Sequence, residues 1–265
     1  MSRIVAFFNQ KGGTAKTTST LNTAAALSER GHSVLVVDLD PQASLTMALG
    51  VDVAEINLSV YDLLIDDAIS IADIMLPTTI AHVLLAPSHP DLAAAELGLL
   101  SIMERERQLQ RKLPGDIGHA VDFVLIDSPP ALNIISINIL VTAHELIIPI
   151  EPHPLSLMVL NRLFETVTKV RRLNPGLQVT GFLPTKVHHS SRLVSDMLDT
   201  LRLRFPDIPV LPAIPLSIRG AEAVAEHTSI LEYSPRSPIA NAYRDVADAL
   251  LAGSLAPVMS RVAND

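Results

Sequence analysis

The sequence predicts an α/β fold: a mostly parallel, twisted sheet with helices on both faces, forming one domain over residues 1–265. Short β-rich apolar runs alternate with longer segments of helical period, which is how a parallel sheet with crossover helices reads in sequence. A glycine-bearing turn, NQKGGTAKTT (9–18), stands directly between the first such run and the first helical segment. The 265 residues, 48% hydrophobic and 18% charged, are enough for a large core and place the chain among compact proteins.

The elements follow in order. IVAFF (4–8) is the first strand, and a helix from about Lys16 to Arg30 comes after it, terminated by Gly31. SVLVVDLD supplies a strand over 33–38. Residues 51–80 are the least patterned, with a short helix expected at SVYDLL. HVLLAP (82–87) is a strand, and residues 91–113 have the period and length of one helix. VDFVLID (121–127) is a strand; ALNIISINILVTA (131–143) reads as a helix despite its β-branched residues; ELIIPIEP returns to strand. The amphipathic helix 156–174 ends at Pro175-Gly176 and leads to the strand QVTGFLPT (178–185). A helix over 190–204, a strand VLPAIP (210–215), a short helix near 219–227 and a last helix over 238–252 complete the chain. It contains no internal repeat, low-complexity tract or dividing linker.

Composition removes several functions. The chain has no cysteine, which excludes disulfides, thiolate metal sites, iron–sulfur clusters and cysteine nucleophiles together. No apolar run approaches the roughly 20 residues that cross a bilayer. The N-terminus enters a strand without a basic region or cleavage site, so a cytoplasmic location is expected. Aromatic residues are 3% of the chain and tryptophan is absent, which disfavours base stacking on single strands and leaves duplex phosphates as the better nucleic-acid target. The net charge is −8, unevenly spread: residues 1–100 carry 4 Lys/Arg against 11 Asp/Glu, whereas 151–220 carry 9 against 5. That second region is either a set of ordinary solvated helix faces or a surface for a polyanion. His188 and His189 lack an evident third ligand and read as solvent-exposed histidines rather than a metal site.

The turn at 9–18 has the chemistry of a phosphate site. A helix N-terminus presents unpaired N–H groups and partial positive charge, and a glycine-bearing turn ahead of it lets the backbone approach phosphate oxygens. Gly12 and Gly13 allow the curl, Lys16 reaches β/γ oxygens, and the Thr17 hydroxyl suits Mg²⁺. The usual pattern G-x-x-x-x-G-K-[ST] nevertheless fails here, because Gln10 and Ala15 stand where glycines belong. A surface turn with two lysines would match as well; the order strand, turn, helix argues against that. Lys11 is left over, placed at the entrance of the loop, where it can extend across an interface toward another molecule's phosphates.

The motif K-G-G-x-x-K-T-T resembles the deviant Walker A loop of the ParA/MinD family of dimerising ATPases, a P-loop NTPase group. The resemblance implies that ATP is bound by Lys11, Gly12, Gly13, Thr14, Ala15, Lys16, Thr17 and Thr18. It makes Lys11 the signature lysine donated across an ATP-sandwich homodimer, and Lys16 the lysine serving its own nucleotide. Ala15 departs from the family's glycine. Since alanine is comfortable only at negative φ, it is expected in the right-handed helical region with nucleotide binding retained.

Two further segments fit. VLVVDLDPQAS (34–44) resembles switch I of the family, which assigns Asp40 to orienting or activating the attacking water. VDFVLIDSPP (121–130) resembles a Walker B segment, with Asp127 holding Mg²⁺ through water. Phosphoryl transfer depends on positioning and charge neutralisation, so this carboxylate, Mg²⁺ and two lysines suffice. The resemblance continues through LLAPSHPDLAAAE, IPLSIRGAEA and SPIANAYRDVADAL and so spans nearly the whole chain; Pro215 and Ser217 would lie near the adenine, Ser217 replacing a common asparagine.

Within the family the chain is most similar to short Soj/ParA proteins. The ending SLAPVMSRVAND lacks the basic amphipathic helix of membrane-bound MinD relatives, so no membrane partner is expected. The resemblance implies non-specific binding to double-stranded DNA and nucleoid association, with Lys186, Arg192, Arg202 and Arg219 as candidate contacts. Leu216 stands where many members have arginine, and Arg192 is displaced by about two residues from another basic position. The implied cycle is an ATP dimer holding DNA and released by hydrolysis that a ParB-like or cargo-adaptor protein prompts. Its cargo is a plasmid, a chromosome or a protein assembly such as a carboxysome or chemoreceptor cluster. Two other readings remain: a nucleotide-binding scaffold or regulator without useful turnover, and a metabolic ATP-dependent ligase, which would not need Lys11.

Overall fold

The computed structural model describes residues 2–113, 121–153, 156–188 and 192–253. β1 (Arg3–Phe7) leads through the loop into α1 (Lys16–Glu29), and β2 (Val34–Asp38) follows. Gly31 ends α1 at φ +83, a left-handed value that glycine adopts without strain. Gly31 N–H donates to Ser28 O and His32 N–H to Leu27 O, the paired bonds of a Schellman cap.

α2 (Ser44–Ala48) follows β2; α3 (Val60–Ile65), α4 (Ile71–Ile74) and β3 (Leu76–Pro77) occupy the weakly patterned stretch, and β4 (Val83–Ala86) comes next. The helix expected at SVYDLL is α3, started by a Ser59/Asp62 capping box. The single helix expected over 91–113 is instead a 3₁₀ turn at Pro90–Ala94, α5 (Ala95–Leu99), another 3₁₀ turn at Arg105–Arg107, and α6 (Gln108–Lys112). Glu104, at φ 51, lies outside helical space and breaks the run.

β5 (Phe123–Asp127), α7 (Ile134–Thr142), β6 (Glu145–Ile150), α8 (Ser156–Val170) and β7 (Gln178–Pro184) complete the sheet and its crossovers. α7 is helical despite its β-branched residues because it is buried and capped: the Asn133 side chain accepts from Ser136 N–H. α9 (Arg192–Arg204), α10 (Ile218–Ala225), α11 (Ile230–Tyr233) and α12 (Pro238–Leu251) follow. The strand expected over 210–215 is reduced to isolated bridges, Phe182 with Val210 and Val187 with Pro215. Pro209, Pro212 and Pro215 have no N–H to give to a ladder.

The strand order is β3-β4-β2-β5-β1-β6-β7, parallel except for the edge strand β3. Successive side chains alternate between two cores: Ile4, Ala6, Leu35 and Val37 face one, and Val5, Phe7, Val34 and Val36 the other. Parallel strands buried on both faces need such continuous apolar runs. Residues of α3, α5, α6, α7 and α8 pack into the first core, and residues of α1, α11 and α12 into the second. β1, β2 and β5 therefore end together at one sheet edge, with Phe7 and Asp38 each paired to Asp127. In open α/β sheets that edge is where ligands bind.

Candidate nucleotide site

The loop 9–18 is held at that edge from three sides. Asn9 Nδ2 donates to Pro149 O at 2.7 Å, and Lys11 N–H donates to Asn9 Oδ1 at 3.1 Å, which ties the loop's entry to β6. The Thr185 hydroxyl, just past β7, donates to Thr14 O at 3.1 Å. Ser19 N–H bonds Ala15 O at the start of α1. Gly13 takes φ +73, as a tight phosphate-type turn requires.

Ala15 corrects the sequence expectation. It is not right-handed helical but left-handed, at φ 60 and ψ 34, as the N-cap of α1. The turn into α1 imposes this value, and an L-residue with a Cβ bears about 1–2 kcal/mol of strain there. Ala43 repeats the feature at the N-cap of α2, with φ 50 and ψ 33. Two alanines thus hold left-handed turns, one at the start of α1 and one at the start of α2.

Lys16 opens α1 and is only 7% exposed. Burial lowers the pKa of its ammonium, and the carboxylates of Asp127 and Asp40 partly oppose that. Thr17, one residue on, donates its hydroxyl to Asp127 Oδ2 at 2.6 Å. Asp127 is fully buried, and its pKa is pushed up to about 8, first by burial and then by neighbouring Asp38; the Thr17 bond and Lys16 act against the rise. A carboxylate this reluctant to ionise, beside a hydroxyl and a lysine, suits a hard divalent cation with oxygen ligands and a phosphate chain. Gln10 Nε2, within the loop, is buried with no hydrogen-bond partner among the described residues. The residues present therefore fit a magnesium–nucleotide pair.

Asp38 and Asp40 have separated roles. Asp38 is buried and accepts the N–H and the hydroxyl of Thr46 at 2.9 and 2.8 Å and the N–H of Asp40 at 3.1 Å. Burial raises its pKa to about 6, against the pull of those donors. Thr46 Oγ1 in turn accepts Ser88 N–H at 3.0 Å, and the Ser88 hydroxyl donates to Asp40 O at 2.7 Å. Asp40 is half-buried; among the described residues its carboxylate accepts only a local bond, from Gln42 N–H at 3.0 Å. Asp38 thus anchors the segment, whereas the Asp40 carboxylate is the less engaged of the two. Asn9, Thr46, Ser88 and Thr185 carry no motif that marks them in sequence, although Asn9 opens the loop stretch itself.

Lys11 lies at the loop's entrance, with Nζ 4.0 Å from Glu151 Oε2, both side chains part-exposed. Thr18 O accepts Asn22 Nδ2, and Asn22 Oδ1 accepts Ile230 N–H, which docks α11 on α1. The loop bearing Pro215 is stitched to the end of β7: Ile214 N–H donates to Pro184 O, Val187 N–H to Ile214 O and Leu216 N–H to Val187 O. Ser217 is the N-cap of α10 and lines, with Arg219 and Arg236, a cavity of about 620 Å³.

The four candidate DNA residues lie at three separate places, just past β7, on α9 and on α10. Lys186 stands at the phosphate loop, where a Cβ placed on Gly13 would lie 4.0 Å from its Nζ. Arg192 and Arg202 lie on α9, Arg202 bound to Asp199 at 2.9 Å, and Arg219 on α10 donates to Ser234 Oγ at 2.8 Å. His188 is exposed, and His189 and the ending 254–265 lie outside the described residues. Among the described residues no cluster of three or more His, Asp or Glu is arranged to hold a metal ion by itself, and no helix is long and apolar enough to cross a membrane.

Comparison with known proteins agrees with this geometry. The AAA domain family matches residues 2–179. The sporulation initiation inhibitor protein Soj of Bacillus subtilis is 36% identical over 248 residues, covering 93% of this chain and 97% of Soj. The chromosome-partitioning ATPase Soj of Thermus thermophilus is 35% identical over 251 residues, 94% of this chain and 96% of that protein. Among solved structures, the cobyrinic acid a,c-diamide synthase of Mycobacterium smegmatis, with bound ATP analogue and magnesium, superimposes with a TM-score of 0.84 at 35% identity, covering 96% of each chain.

Proposed function

The chain belongs to the ParA/MinD family of P-loop ATPases, and from that membership we propose that it binds ATP with Mg²⁺, dimerises around it and hydrolyses it to ADP and phosphate. The observation that carries this reading is the convergence of Lys16, Thr17 and Asp127 at the N-terminus of α1, with Lys11 at the loop's outer edge. Magnesium, when bound, would supply charge neutralisation for the phosphates; the Thr17 hydroxyl and, through water, Asp127 are the residues that would hold it.

The protein's own residues do the rest. Backbone N–H groups of 12–18 and Lys16 bind and orient the phosphates, Lys11 of each subunit reaches the nucleotide of the other, and Asp40 positions the attacking water. Asp38 keeps Asp40 in place through Thr46 and Ser88. The dimer holds double-stranded DNA non-specifically through basic residues including Arg192, Arg202 and Arg219, on the nucleoid in the cytoplasm. A ParB-like or cargo-adaptor protein prompts slow hydrolysis and release, so that a plasmid, a chromosome or a protein cargo is segregated or positioned.

ATP turnover and light-scattering mass, measured with and without DNA, test this proposal. Wild type should form a dimer with ATP·Mg²⁺, and Asp40→Ala should keep the dimer and lose turnover. A wild-type chain that stays monomeric with ATP ends the sandwich reading. The left-handed Ala15 favours one second reading, a nucleotide-binding scaffold with negligible hydrolysis. In that case the dimer forms but wild type and Asp40→Ala turn over ATP equally slowly.

A further inference from the structure

We propose that Lys186 is a third lysine of the phosphate loop, a binding residue for nucleoside di- and triphosphates supplied from the end of β7, and not a contact to DNA. The inference rests on the nucleotide-binding reading above and extends it to a residue outside the loop motif. Its ammonium is directed at Gly13: a Cβ built there meets Lys186 Nζ at 4.0 Å, nearer than any other described atom outside Gly13 and its two chain neighbours. Gly13 belongs to the turn whose backbone embraces the phosphates, so a cation there sits where anionic oxygens gather.

The backbone is arranged to deliver that side chain. Lys186 is left-handed at φ 55, which costs a non-glycine residue and persists only where the surroundings impose it. The imposing contacts lie on both sides. Thr185 hydroxyl binds Thr14 O at 3.1 Å, and Val187 pairs with Ile214 and Leu216 through backbone bonds. Lys186 is thereby held between the phosphate loop and the loop carrying Pro215 and Ser217. Among the described residues no carboxylate lies within ion-pair distance of its ammonium, whereas Lys11 faces Glu151 and Arg202 faces Asp199. An exposed lysine whose backbone is fixed, whose ammonium is aimed at a phosphate turn and which has no ion-pair partner among the described residues is built for an anion supplied from outside.

Because Lys186 acts within its own subunit, it should bind ADP and ATP alike, unlike Lys11, whose work requires the dimer. Its exposure keeps the effect at the low end for a charge-assisted hydrogen bond, about five- to tenfold in Kd. The test uses the full chain with Mg²⁺ and a fluorescent ADP analogue, comparing wild type, Lys186→Asn and Lys186→Arg. Asparagine tolerates positive φ and so keeps the turn without the charge. Lys186→Asn should raise Kd five- to tenfold, and Lys186→Arg should restore most of the affinity. An ADP Kd for Lys186→Asn within twofold of wild type overturns the proposal, and a DNA mobility shift lost in the same variant would then return the residue to the DNA surface. Failure of wild type itself to bind ADP would instead sink the ATPase reading, and this inference with it.

Discussion

Lys11 Nζ lies 4.0 Å from Glu151 Oε2 of its own chain, with 34% and 41% of the two side chains exposed. An ion pair so long and so wet is worth about 0–1 kcal/mol. In the proposed dimer, swinging Lys11 across the subunit interface would therefore give up little, and Glu151 would act as a resting place rather than a lock. Glu151→Gln should shift the ATP-dependent dimerisation constant by less than about fivefold, whereas Lys11→Ala should remove the dimer, both read by sedimentation velocity. A Lys11→Ala protein that dimerises like wild type refutes the crossed-lysine arrangement.

Ala15 at φ 60 holds a conformation that costs an L-residue about 1–2 kcal/mol. Glycine removes that strain but loses more chain entropy on folding, about 0.5–1 kcal/mol. Ala15→Gly should therefore stabilise the ligand-free protein by roughly 0.5–1 kcal/mol in urea unfolding. Ala15→Val, which adds β-branching at positive φ, should destabilise it. An unchanged midpoint in both variants would show that residue 15 is not left-handed in solution.

Thr46 connects Asp38 to Ser88 inside a buried network. Thr46→Val keeps the shape but leaves the Asp38 carboxylate short of one donor and Ser88 N–H without its acceptor. The expected loss is about 2–3 kcal/mol of stability, together with slower ATP turnover as Asp40 loses its support. Full stability in the valine variant would mean that the network is not formed.

Burial raises the carboxyl pKa of Asp127 to about 8 and that of Asp38 to about 6. Above the ordinary carboxylate value of 3.8 the folded state then holds more protons than the unfolded one, so stability falls as pH rises. The contribution is fully present below pH 3.8 and is lost on passing through about 8. From pH 5 to 8 one proton's worth is roughly 4 kcal/mol as an upper bound. Thermal unfolding in EDTA should show a falling Tm over that range, flattened in Asp127→Asn. A Tm that rises from pH 6 to 8 in wild type contradicts the assigned direction.

Much of the site was legible without coordinates because its chemistry is local. NQKGGTAKTT places two lysines, two glycines and three threonine hydroxyls within ten consecutive residues, and strand-ending aspartates announce themselves by the apolar run before them. The strand–helix alternation likewise predicted a parallel sheet with covered faces, which is the sheet observed. Two readings failed where local pattern misleads. The period over 91–113 continued through a turn at Glu104, and the apolar run over 210–215 contained prolines unable to join a ladder.

By itself, then, the sequence determined the phosphate loop, its lysines and the carboxylates at the ends of two strands, because each is written within one turn or one strand. Only the tertiary structure decided the left-handed turn at Ala15, the hold of Asp38 on Thr46 and Ser88, and the place of Lys186 over Gly13. Thr185 and Thr14 meet across 171 residues, and Ser88 and Thr46 across 42. Contacts of that separation leave no periodic trace in the chain; they arise when the sheet brings the ends of its strands to a common edge. The same closure overrides the preference of alanine for negative φ.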